Sequence, residues 1–164
     1  MRTKIYLLIA ICFMSCDKEN QEKEPGPKFI DIVLINEEGA NLFNSETGNS
    51  IDFKEVRNLY LIDGEYVNQY HDNYDWPKNC KIYDSESPLG NVFRIYLSEY
   101  VNEGNQSTTV IDWGNGDSDT IIAIMNPDTK LPYSKFWYNG VSMNDLTEKI
   151  FGEGNYYFEI PKEY

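Results

Sequence analysis

Asp112, Asn115, Asp117 and Asp119 place oxygen-bearing side chains within eight residues. A hard cation such as calcium wants several oxygen ligands, which makes this stretch a calcium candidate. The spacing departs from an EF-hand loop: with Asn115 as position one, Thr120 stands where the loop needs Gly, and Asn126 where it needs a bidentate Glu. The polar tip of a hairpin would use the same residues, so no metal is assigned. A second group, Tyr66, Tyr70, His71, Tyr74 and Trp76 with Asp72, Asn73 and Asp75, mixes rings with hydrogen-bonding side chains. Stacking on a sugar ring and bonding to its hydroxyls needs that mixture, so Tyr70, Tyr74 and Trp76 are the candidate ligand-binding residues. The competing expectation is that these rings pack against the edge of the core.

Nucleophilic chemistry would have to pair Cys80 with His71, the one histidine of the chain. A lone cysteine inside a domain is more commonly a small buried apolar residue. Paired carboxylates could in principle hydrolyse glycosidic bonds, but that reaction needs a fixed separation across a cleft, and 27 acidic residues make chance pairs unavoidable. The sequence has no glycine-rich phosphate loop, no Cys-x-x-Cys or His-x-x-x-His ligand pair and no Gly-x-Ser-x-Gly elbow. The expectation is a protein without catalytic residues or cofactor.

The elements that would position these residues are strands. Phe29–Ile35 is an apolar run interrupted by Asp31 and rich in β-branched residues, which predicts a buried first strand. Leu42 and Phe43 suggest a short return strand before the polar 44–50 loop. Residues 56–62 and 65–70 flank Asp63-Gly64, a two-residue hairpin turn. Residues 80–83 form a short strand after the polar and aromatic loop. Residues 91–101 alternate, with Phe93, Ile95, Leu97 and Val101 on one face and Arg94, Tyr96, Ser98 and Tyr100 on the other. Further hairpins follow at Gly114-Asn115-Gly116 and Asn139-Gly140, and 156–160 closes the domain, with Pro161 at its exit. One short helix is expected over 144–151, from Leu146 and Ile150 at i, i+4 spacing and a capping pair, Ser142 and Asp145. Roughly seven to nine short antiparallel strands at such spacing predict an all-β, immunoglobulin-like sandwich in residues 28–164.

The formal charge is −13; without Arg2 and Lys4 the basic count falls to 12 against 27 acidic, a net of −15. That field disfavours nucleic acid and anionic surfaces as partners and suits a well-solvated surface. Cys12 and Cys16 lie at the N-terminus and Cys80 alone in the domain, so processing would leave no internal disulfide.

Arg2 and Lys4 precede ten apolar residues, Ile5 to Met14, half of the roughly 20 that a membrane-spanning helix needs. The stretch Phe13-Met14-Ser15-Cys16 resembles a bacterial lipobox, which implies a signal peptide at 1–15, a lipid on Cys16 and anchoring by several acyl chains. Residues 17–27, DKENQEKEPGP, hold no large apolar side chain and predict an extended acidic tether; from Cys16 to Phe29 it could reach at most about 45 Å. Asp17-Lys18-Glu19 is similar to the surface-export signal of Bacteroidetes lipoproteins. A Gly-x-x-Leu turn (Gly39 to Leu42), Asp-Thr-Ile (Asp119 to Ile121) and Trp-Tyr-Asn-Gly (Trp137 to Gly140), following a first apolar strand, resemble small Bacteroidetes envelope lipoproteins. The resemblance implies a β-sandwich at the outer membrane and supplies no active site. The resulting expectation is a lipid-anchored module contacting an envelope protein or a glycan, with a small polysaccharide hydrolase or a purely structural surface protein as alternatives.

Overall fold

The computed structural model describes residues 28–85, 90–125, 133–143, 149–151 and 155–163. The export segment, Cys16 and the tether lie outside the described residues. Among these residues there is no helix, and so none long and apolar enough to cross a membrane.

Among the described residues, eleven strands make two sheets. They are β1 (Phe29–Ile35), β2 (Arg57–Ile62), β3 (Glu65–Asn68), β4 (Cys80–Tyr83), β5 (Val92–Tyr96), β6 (Gln106–Asp112), β7 (Ser118–Met125), β8 (Tyr133–Tyr138), β9 (Val141–Ser142), β10 (Lys149–Phe151) and β11 (Asn155–Pro161). One sheet runs β10-β11-β1-β5-β4, the other β3-β2-β6-β7-β8-β9. Their inner faces meet in one apolar core, in which Ile30, Ile32, Leu34, Phe93, Ile95 and Phe158 of the first sheet pack against Ile111, Ile121, Ala123 and Phe136 of the second. This is an all-β sandwich.

The period-two rule places the inward residues. In β7, Asp119, Ile121, Ala123 and Met125 are buried while Ser118, Thr120, Ile122 and Ile124 are more open. Asp119 therefore stands in phase with the core, a position that obliges its carboxylate to find donors. β1 is buried on both faces: beyond Ile30, Ile32 and Leu34, its Val33 joins Val92 and Tyr157 in a small cluster on the outer side. On that side Asp31 lies directly opposite Arg94 and accepts two hydrogen bonds from its guanidinium, each 2.7 Å, and a third from the Tyr83 hydroxyl at 2.9 Å. The bidentate pair removes most of the cost of burying a charge in a strand.

Four expectations need correction. The strands are not all antiparallel, because β1 and β11 pair in parallel, Ile32 with Phe158 through Ile35 with Pro161; such a pairing joins distant segments and leaves no local signal. The strand expected over 91–101 stops at Tyr96. There the Leu97 N–H turns to the Lys28 carbonyl and the Ser98 N–H to Thr109 Oγ1, crossing toward the other sheet, and Val101 is exposed. Leu42 and Phe43 are buried as expected but sit in turns, with a single bridge from Ile35 to Asn41. The helix expected over 144–151 is contradicted at its end, where Lys149–Phe151 pairs antiparallel with Asn155–Tyr157 as β10; its remainder, 144–148, lies outside the described residues.

The turns are where the dipeptides place them. Asp63 and Gly64 adopt φ of 51° and 87°, and Asn139 and Gly140 adopt 48° and 78°, the left-handed pair that a twisted two-residue hairpin requires.

Candidate functional site

The calcium candidates do not converge on a common centre. Asp119 accepts hydrogen bonds from Trp113 Nε1 (2.7 Å), the Tyr138 hydroxyl (2.6 Å), Asn139 Nδ2 (2.6 Å) and Lys162 Nζ (2.9 and 2.8 Å). The Lys162 ammonium also pairs with Asp117 at 2.7 Å, so the position a metal ion would take between these carboxylates holds a lysine cation. Asp112 pairs instead with Arg57 and accepts the Gly114 N–H at 2.9 Å. Asn115 Oδ1 accepts the Asp117 N–H at 3.0 Å, an ordinary turn bond. Among the described residues no three His, Cys, Asp or Glu side chains form a metal-binding group.

Burial by itself would raise the Asp119 carboxyl, but the donors from Lys162, Tyr138, Asn139 and Trp113 outweigh it and hold its pKa below the ordinary value. Burial and then the Asp119 charge push the Tyr138 hydroxyl well up. Burial would lower Lys162, yet its bonds to Asp117 and Asp119 leave it raised. A carboxylate fixed in its ionised form by four donors is a poor general acid. The arrangement acts as a clamp, tying the end of β11 in one sheet to β7 and β8 in the other. An open cleft of about 570 Å³ lies beside it, lined by Asp117, Asp119, Glu159 and Glu163 among others.

Cys80 and His71 serve separate environments. The Cys80 thiol is buried in the core, and that burial pushes its pKa up to about 12 despite the lowering influence of Lys78, which leaves almost no thiolate at neutral pH. His71 is exposed, with its ring 4.7 Å from that of Tyr74.

The ring-bearing loop after β3 is closed on itself: the His71 N–H bonds the Pro77 carbonyl at 2.7 Å, and the Tyr74 N–H bonds the His71 carbonyl at 3.1 Å. It presents its aromatics unequally. Tyr70 and Tyr74 are 55% and 58% exposed, and Tyr66 on β3 is 59% exposed. Trp76 is only half open, because its ring lies 5.2 Å from Tyr96 and carries Lys81 Nζ at 3.9 Å. Of the three candidate rings the structure thus presents Tyr70 and Tyr74 to solvent and gives Trp76 a packing role. No two of Tyr70, Tyr74 and Trp76 are in ring contact. β3 lies at the end of its sheet, all four of its residues exposed.

Sequence reasoning missed what lies beneath Tyr70. A cleft of about 490 Å³ is lined by Tyr70 and Asn68 together with Lys54, Arg57, Lys78 and Gly114. The cations come from segments up to 24 residues apart and are joined by Lys78, whose Nζ donates to the carbonyls of Phe53 (2.8 Å) and Lys54 (2.7 Å). The only local signal was a set of basic residues in a strongly acidic chain. Compared with family models, curated proteins and solved structures, the chain finds no match.

Proposed function

We propose that the protein is a lipid-anchored module of the cell envelope, held by Cys16 at the outer membrane and without catalytic activity, whose immunoglobulin-like sandwich contacts a glycan or a protein. The observation that carries this reading is the grouping of Tyr66, Tyr70 and Tyr74, each more than half exposed, on β3 and the loop that follows it. A tyrosine ring offers a large amphipathic contact at low entropic cost, and a soluble domain gains nothing from leaving three of them in water. The tether and lipid belong to the same reading: about 45 Å of extended chain would hold the domain clear of the headgroups.

A small polysaccharide hydrolase is the second reading, favoured by the acid-lined cleft beside Asp119. Against it stands the use of Asp119 and Asp117 as partners of Lys162, since a glycosidase acid must be able to hold its proton near neutral pH.

Thermal unfolding of the full chain in non-ionic detergent, measured against a panel of plant and host glycans with and without calcium, tests the proposal. A ligand at about 100 times its dissociation constant adds about 2.7 kcal/mol. A stabilisation abolished by Tyr70→Ala or Tyr74→Ala supports the glycan form. Crosslinking in cells through a photoreactive residue at Tyr74 tests the protein form, and silence in both assays would sink the reading. Loss of palmitate incorporation in Cys16→Ser checks the anchor.

A further inference from the structure

In a chain of net charge −13, the cleft under Tyr70 gathers Lys54, Arg57 and Lys78 against a single lining carboxylate, Glu55. Three of the other described cations are neutralised, Lys28 by Glu99, Arg94 by Asp31, and Lys162 by Asp117 and Asp119, while Lys81 lies over the Trp76 and Tyr83 rings. Among the described residues, neither Lys54 nor Lys78 has a carboxylate within ion-pair distance. Lys78 is nonetheless fixed, since two of its three ammonium protons go to backbone carbonyls and the Phe53 ring lies 5.0 Å away. Neutral acceptors orient the charge without cancelling it. Arg57 gives one nitrogen to Asp112, and among the described residues the rest of its planar fork has no partner.

The cleft owes its shape to Gly114. A Cβ there would stand 2.3 Å from Glu55 Cβ, so glycine lets the turn carrying Lys54 and Glu55 close against the β6–β7 hairpin.

We infer that this cleft binds the anionic group of an acidic glycan, a carboxylate or sulfate, with the Tyr70 ring stacking on the sugar that bears it and Asn68 within reach of a hydroxyl. The inference rests on the glycan form of the reading above. Fixed cations beside an exposed ring are what a charged saccharide needs, because the ring recognises the apolar face of the sugar and the cations its substituent. The acidic remainder of the surface argues against a densely charged polymer such as nucleic acid; a sparsely charged saccharide meets less of that repulsion, and its anion finds these cations locally.

The test titrates the full chain, in non-ionic detergent, with trigalacturonate, with a sulfated galactan trisaccharide and with uncharged galactotriose, at about 20 and about 200 mM salt. At least one charged saccharide should bind roughly tenfold more tightly than galactotriose at low salt and lose most of that margin at high salt. The two charged arms separate carboxylate from sulfate. Lys54→Ala, at an exposed residue whose side chain makes no hydrogen bond, should remove most of the margin without moving the unfolding midpoint, and Tyr70→Ala should weaken all three ligands. Equal binding of charged and neutral saccharides, or charged binding untouched by Lys54→Ala, overturns the anionic specificity while leaving glycan binding at Tyr70 intact. Binding of none of the three at millimolar concentration overturns the inference together with the glycan form, and the crosslinking arm then decides the protein form separately.

Discussion

Lys162 Nζ lies 2.9 and 2.8 Å from the two carboxylate oxygens of Asp119, a contact that joins the residue after β11 to the inner face of the opposite sheet. Lys162 follows β11 directly, and its own N–H bonds the Ile35 carbonyl. The exit of β11 is thus held both along its own sheet and across the core.

Removing one partner of this pair leaves a buried charge with incomplete compensation. Asp119→Ala also strands the donors of Trp113, Tyr138 and Asn139, so its expected cost is about 3–5 kcal/mol. Lys162→Met, which leaves Asp119 three donors, should cost less, about 2 kcal/mol. Urea unfolding midpoints of the two variants check both the size and the order.

The same cluster sets a pH dependence. The folded pKa of Asp119 lies below its unfolded value of 3.8, so the native state holds fewer protons there and unfolding takes them up. Its contribution is complete above the unfolded value and is lost as pH falls through the folded one. Tyr138 and Lys162 are raised above 10.0 and 10.5, so their contributions are complete below those values and are lost as pH climbs through the folded pKa. Comparing unfolding free energies of the natural chain and Asp119→Asn from pH 7 downward should give a gap that narrows below about pH 4. A constant gap would show that the charge of Asp119 is not what stabilises.

Two glycines of one hairpin should respond differently to the same change. Gly114 and Gly116 both have left-handed backbones, φ 82° and 91°, so alanine at either costs about 1–2 kcal/mol in strain. At Gly114 the new Cβ also meets Glu55 Cβ at 2.3 Å and the Glu55 carbonyl at 3.0 Å, whereas at Gly116 it meets nothing within 4 Å. Gly114→Ala is expected to be the more destabilising by about 1–3 kcal/mol, and it should weaken any ligand of the Tyr70 cleft. Thermal midpoints of the two variants measured side by side provide the comparison.

Cys80 should resist alkylation while the domain is folded. With its pKa near 12, the thiolate fraction at pH 8 is roughly one part in 10,000, and the core excludes the reagent. Iodoacetamide labelling, followed by mass spectrometry of the peptide containing Cys80, should appear only in denaturant. Rapid labelling of the native protein would indicate an accessible thiol and revive a nucleophilic role.

Local chemistry alone determined a good part of this molecule. The run Phe29–Ile35, the alternation that survives in Val92–Tyr96 and the left-handed pairs Asp63-Gly64 and Asn139-Gly140 each fix a strand or turn within a few residues, because backbone sterics and side-chain period act at that range. A core-facing Asp119 could also be read from its phase with Ile121 and Ala123. What replaced calcium there could not, since the ammonium of Lys162 comes from 43 residues away. The exposure of Tyr70 against the packing of Trp76 depends on Tyr96 and Lys81, and the cationic cleft on how Lys78 meets the carbonyls of Phe53 and Lys54. The parallel pairing of β1 with β11 brings together the two ends of the domain. Periodicity and turn residues are properties of neighbours along the chain, so sequence displays them. Charge compensation, ring exposure and cleft lining are properties of neighbours in space, and the tertiary structure decided those.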